Sequence, residues 1–128
     1  MHDLLNDIID MIIAQGLAKA KDVDIFKDFA PAKPDDIISI YEYAGTAPAV
    51  FTTTSVRSVQ VCVRAKTNAN GKKLCWDIYK AMYREDSLID LGGKRCIIAM
   101  RNTPLKIDVD DKNRPLYAFN CAITTNFD

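Results

Sequence analysis

Histidine is almost missing from this chain. The only one is His2, next to the N-terminus, which leaves the body of the chain without the usual neutral-pH general base. Cysteine occurs four times, as Cys62, Cys75, Cys96 and Cys121. No two stand in C-x-x-C spacing, which removes the common zinc and dithiol motifs. Each lies within an apolar segment, where a reduced, structural thiol in a cytosolic-type environment is expected. Five glycines and five prolines are too few for a collagen-like or disordered chain. No apolar run approaches the about 20 residues needed to span a bilayer. Asp3, Asp7 and Asp10 stand where a signal peptide would carry positive charge. The expectation is a soluble, non-secreted protein.

Net charge is missing too, since 17 basic residues balance 17 acidic ones. Nothing global points to nucleic acid or an anionic membrane. The distribution is uneven: residues 1–36 hold eight acids and four bases, a net −4, and residues 57–101 hold ten bases and four acids, a net +6. A neutral but polarised molecule can dock head to tail with copies of itself; ordinary solvated charge is the plainer reading.

What is present is one domain, residues 1–128, of 14.3 kDa, large enough to fold without metals or disulfides. Leu4, Leu5, Ile8, Ile9, Ile12 and Ile13 repeat at helical spacing opposite the acids, and Gly16 is placed as the left-handed stop. Residues 17–36 read as a connector with one short apolar piece, Val23 to Phe29. Ile37 to Tyr43 reads as an internal strand, apolar on both faces. After a turn at 44–48 and the run Thr52-Thr53-Thr54-Ser55, Val59, Val61, Val63 and Ala65 alternate with polar residues, predicting a strand with one buried and one wet face. A second helix is predicted over 69–84, with Leu74, Cys75, Ile78, Tyr79 and Met82 inward and Lys73, Asp77, Lys80 and Arg84 outward. Strands follow at 95–101 and 117–127, separated by a long polar connection, 102–115. The predicted class is α+β: a mainly antiparallel sheet of four to five strands with two helices packed on it.

Reactive constellations are absent. There is no G-x-S-x-G elbow, Walker loop or G-x-G-x-x-G fingerprint. Asp108 to Asn113 imitates the start of an EF-hand, but Lys112, Asn113 and Phe119 stand where an oxygen ligand, Gly and Glu are required; a solvated hairpin tip suits it better. The run 52–55 has no glycine for a phosphate nest. Lys72 and Lys73 with Trp76 and Tyr79 could touch nucleic acid, yet Tyr79 belongs to the core stripe and one Trp is no stacking platform. No catalytic, cofactor or metal residues are assigned. Two elaborate segments remain, 44–56 with Val50 and Phe51, and the arm 102–115. Long loops of this kind tend to be functional.

The stretch DIISIYEYAGTAP from Asp36 to Pro48 resembles the "iiiyeyxGxxP" segment of tailed-phage minor capsid proteins. RSVQVCVRA from Arg57 to Ala65, KLCWDIY from Lys73 to Tyr79 and the closing TTNFD fit that family as well. The element order is also similar to that of tail-terminator proteins of long-tailed phages. The resemblance implies a structural protein at the head–tail junction of a phage or prophage. There a ring, typically of six copies, caps the tail tube and faces the head connector. It implies no cofactor, no membrane, no specific nucleic acid, and residence in the virion after assembly in the bacterial cytoplasm. Val50, Phe51, Thr52, Thr53, Arg57, Arg101, Asp110 and Lys112 are the expected contacts with neighbouring subunits or partners. Two rival readings stand beside it: a small intracellular domain binding nucleic acid through the basic segment 57–101, and a small enzyme with Cys62 or Cys121 as nucleophile.

Overall fold

A computed structural model describes residues 3–46 and 54–126. The elements run α1 (Leu4–Ala14), β1 (Ile25–Lys27), β2 (Ile37–Thr46), β3 (Thr54–Arg64), α2 (Asn68–Met82), β4 (Leu88–Leu91), β5 (Lys94–Met100), β6 (Leu105–Val109) and β7 (Pro115–Asn126). The seven strands form one sheet in the order β1-β2-β3-β7-β5-β4, with β6 joined to β7 beside that path. The α+β class holds. The sheet, however, is larger than the expected four to five strands, and it is mixed because β1 lies parallel to β2.

The helices form where local chemistry dictates. The Asp3 side chain caps the start of α1 by accepting from the Asn6 amide at 3.3 Å. Gly16, at φ 76°, turns the chain off its end. The Gly16 amide donates to the Ile13 carbonyl and the Leu17 amide to that of Ile12, the paired bonds of a Schellman stop. Leu4, Leu5, Ile8, Ile9 and Ile12 are fully buried, each contributing roughly 1.5–3 kcal/mol by leaving water. Thr67 caps α2 in the same manner. This helix ends at Met82, two residues short of the expected limit, because Tyr83 is extended and Arg84 leaves the helix. The Arg84 guanidinium donates back to the carbonyls of Ala81 and Tyr83.

Three strands were not expected. β4 is only four residues long and closes a hairpin onto β5 through Gly92 and Gly93, both at positive φ, the backbone of a two-residue hairpin turn. β1 is a three-residue piece of the presumed connector. β6 occupies the middle of the presumed polar arm and pairs antiparallel with β7; the turn at 110–114 is the hairpin tip the sequence suggested. β2 continues to Thr46, through the first part of the turn expected at 44–48. Residues Ala47 and Pro48 lie outside the described residues.

One face of the sheet carries both helices. There Val59, Val61, Val63, Tyr117, Phe119, Cys121 and Ile123 alternate inward from β3 and β7, as the sequence predicted. α1 touches β1, β2 and β4, elements from both ends of the strand order, so the sheet wraps around this helix. The opposite face of β3 is less wet than expected. Arg64 is buried and Cys62 half-buried, because the loop before β2 crosses there. The Arg64 guanidinium donates to the carbonyls of Pro34 at 2.7 Å and Asp35 at 3.2 Å.

Candidate assembly surface

Every residue of β6 is exposed. Leu105, Ile107 and Val109 keep 57%, 48% and 38% of their surface in water. Among the described residues β6 pairs with β7 alone, so its outer edge is open. A register shift between Lys106 and Asp108 makes Ile107 a bulge residue and turns the apolar side chains toward both faces. Exposed apolar edges of this kind are places where another chain binds.

The opposite end of the sheet carries a second open edge. Among the described residues β1 pairs with β2 alone, apart from an isolated bridge at Lys21. Beside it lies an open groove of about 970 Å³ lined by Asp22, Val23, Phe26, Phe29, Pro31 and the Lys33–Asp35 turn. Val23 and Phe29 are 56% and 51% exposed, and Phe29 meets Phe26 edge to face at 5.2 Å.

One buried arginine ties the two regions together. Arg114, 6% exposed, donates to the Ala32 carbonyl at 2.7 Å, to Asp35 at 3.0 Å and to Asp110 at 2.8 Å. Asp110 also accepts the backbone amides of Arg114 and Lys112. Partial loss of solvent pushes the Asp110 carboxyl up, but the Arg114 and Lys112 hydrogen bonds outweigh it and hold the group below its ordinary range. The hairpin tip is thereby fixed to the loop that lines the groove.

The expected contact residues are placed as follows. Val50, Phe51, Thr52 and Thr53 lie outside the described residues. Arg57 is half-buried on β3 and grips Glu42 with two bonds of 2.7 Å. Arg101 is exposed, at the end of β5, and its amide donates to the Asn120 carbonyl. Asp110 faces inward to Arg114, and Lys112 is exposed at the tip. Of the four described residues, the structure brings Asp110 and Lys112 together in one turn. Sequence reasoning missed Leu105, Ile107 and Val109 as a ridge, although their alternation with Lys106 and Asp108 is a strand signal.

Residues named in the two rival readings have partners or cover within the fold. Of the ten bases in 57–101, Arg57, Arg64, Lys73, Arg84 and Arg95 hydrogen-bond within the fold. Trp76 packs edge to face on Tyr79, which packs on Phe119. The thiol of Cys62 is pushed up to about 11 and those of Cys75 and Cys121 to about 12, in each case by burial first, so each stays protonated near neutrality.

A family model described as bacteriophage tail terminator protein matches residues 11–127. The chain belongs to that family. The match takes in all of the sheet and the whole of α2, and with it both open edges. Tail terminators are structural phage proteins, so the resemblance seen in the sequence holds at family level. No curated protein matches the chain. One solved structure is similar over 94% of each chain at 11% identity and a TM-score of 0.47. Among the described residues no helix is long and apolar enough to cross a membrane.

Proposed function

We propose that this tail terminator works as a ring subunit at the head–tail junction, capping the tail tube and presenting a surface to the head connector. Six copies are the expected number, and the ring is a component of the virion, put together in the cytoplasm of the bacterial host. The observation that carries the reading, beyond family membership, is the pair of dissimilar open edges. A closed ring needs heterologous contacts, in which one patch meets a different patch on the neighbour. The exposed ridge of β6 and the groove beside β1 are two such patches. The role is one of binding and assembly, without catalysis, and the "minor capsid" resemblance is read as this neck position.

Native mass spectrometry of the purified chain, alone and with isolated tail tubes, tests the reading. A closed oligomer, expected to be a hexamer, forms in one of the two conditions. A chain that stays monomeric even with tubes present would sink it.

A further inference from the structure

The strand registers place the two open edges on one rung of the sheet. Ile25 pairs with Ile38, Ile38 with Val63, Val63 with Tyr117 and Tyr117 with Lys106. The next rung runs Phe26, Ser39, Cys62, Ala118 and Leu105 in the same way. This part of the molecule is therefore a five-stranded section, β1-β2-β3-β7-β6, with β1 at one margin and β6 at the other. Residues on one rung share a face, so Leu105 and Phe26 project from the same side, the side away from the helices.

Direction follows from the same pairings. β1 is parallel to β2, and each further step to β3, β7 and β6 is antiparallel. β6 thus runs opposite to β1. A second copy, displaced sideways and otherwise similarly oriented, brings its β6 antiparallel beside the first copy's β1. Leu105, the most exposed of the ridge residues, then faces the groove of Val23, Phe26 and Phe29. Backbone pairing is short, because β1 has three residues and the Asp22 amide already takes the outward Ile25 carbonyl at 2.8 Å. The contact rests on side chains.

We propose that the β6 ridge of one copy seats in the groove beside β1 of the next, with Leu105 between Val23 and Phe29. The proposal rests on the ring reading and names the surfaces that meet in it. It also accounts for the Arg114 clamp, which fixes the hairpin that carries the ridge to the loop that lines the groove. Each copy would offer both surfaces in a set relation, as a ring requires.

The test uses the full chain with single cysteines added, Leu105→Cys in one preparation and Phe29→Cys in another. The native thiols are buried or, for Cys62, half-buried, so they form slow background. At high concentration under mild oxidation, the mixture should give a disulfide-linked pair joining the two introduced cysteines, and neither variant alone should match it. A Leu105→Cys homodimer as the main product, or no link above the rate of a Lys80→Cys control, would overturn the proposal. A second measurement reads assembly on tail tubes. Leu105→Asp should weaken tube-templated assembly at least tenfold with an unchanged melting temperature. Assembly of Leu105→Asp equal to wild type overturns the proposal and leaves the ring reading standing. Failure of wild type to assemble sinks the ring reading, and the cross-link still decides whether these surfaces meet.

Discussion

β6 and β7 are hydrogen-bonded neighbours with the same sequence habit and opposite fates. Both alternate apolar with polar residues, Leu105, Ile107 and Val109 in one, Tyr117, Phe119, Cys121 and Ile123 in the other. In β7 the apolar set is buried, with α2 packed on it. In β6 all five residues are in water. Alternation specifies a strand and a register; whether the apolar row meets a core depends on what lies above that strand. β7 sits at the centre of the sheet with partners on both sides, whereas β6 forms a margin that the helices do not cover.

The sharpest way to break the comparison is to truncate one residue on each strand. Phe119→Ala removes a fully buried ring that Tyr79 packs against, and it should cost about 3–5 kcal/mol of stability by denaturant unfolding. Ile107→Ser on β6 should stay within about 0.5 kcal/mol of wild type. A loss at Ile107 comparable to that at Phe119 would mean that the ridge is covered within the monomer.

A smaller effect is expected where α2 meets β7. A Cβ added at Gly71 would lie 2.9 Å from Tyr117 Cδ1 and 3.3 Å from the Ala65 Cβ. Tyr117 cannot swing away freely, because its ring is buried and its hydroxyl donates to Asn68 at 3.3 Å. Alanine would gain up to about 1 kcal/mol in helix propensity, but crowding of this type costs about 1–3 kcal/mol. Gly71→Ala should therefore destabilise on balance, with a melting temperature below that of wild type. An increase would show that helix and strand are less tightly seated than the contact implies.

The mildest effect should come from acid acting on the hairpin clamp. The Asp110 carboxyl is held below its unfolded value, so its contribution is present above the ordinary carboxylate range and lost as pH falls through the lowered value. Asp110→Asn should melt below wild type at neutral pH, and the gap should narrow as the pH drops past that range. Melting curves across acidic pH check this, and a gap independent of pH would assign the loss to packing instead of charge.

Much of this fold was legible beforehand. α1 with its Gly16 stop, the buried face of β3, the inner stripe of α2 and the alternation of β7 all follow from spacings within a dozen residues. β6 carried the same kind of signal, but its charged flanks made 102–115 read as a polar arm. β1 was less visible, since three residues show no period. The candidate surface was half legible: the arm was marked as a contact region, while the groove of Val23, Phe26 and Phe29 was passed over as connector. The partners of Arg57 and Asp110 within the fold, Glu42 and Arg114, were not legible in the sequence.

By itself, then, the sequence determined where helices start and stop and which residues alternate. These depend on neighbours along the chain, through caps, turns and side-chain period. The tertiary structure alone decided the sheet order, the open margins at β1 and β6, and the burial of Arg64 and Arg114. Those depend on which distant strands pair. Arg114 meets partners 79 and 82 positions away, and a contact at such separation leaves no periodic trace in the chain that makes it.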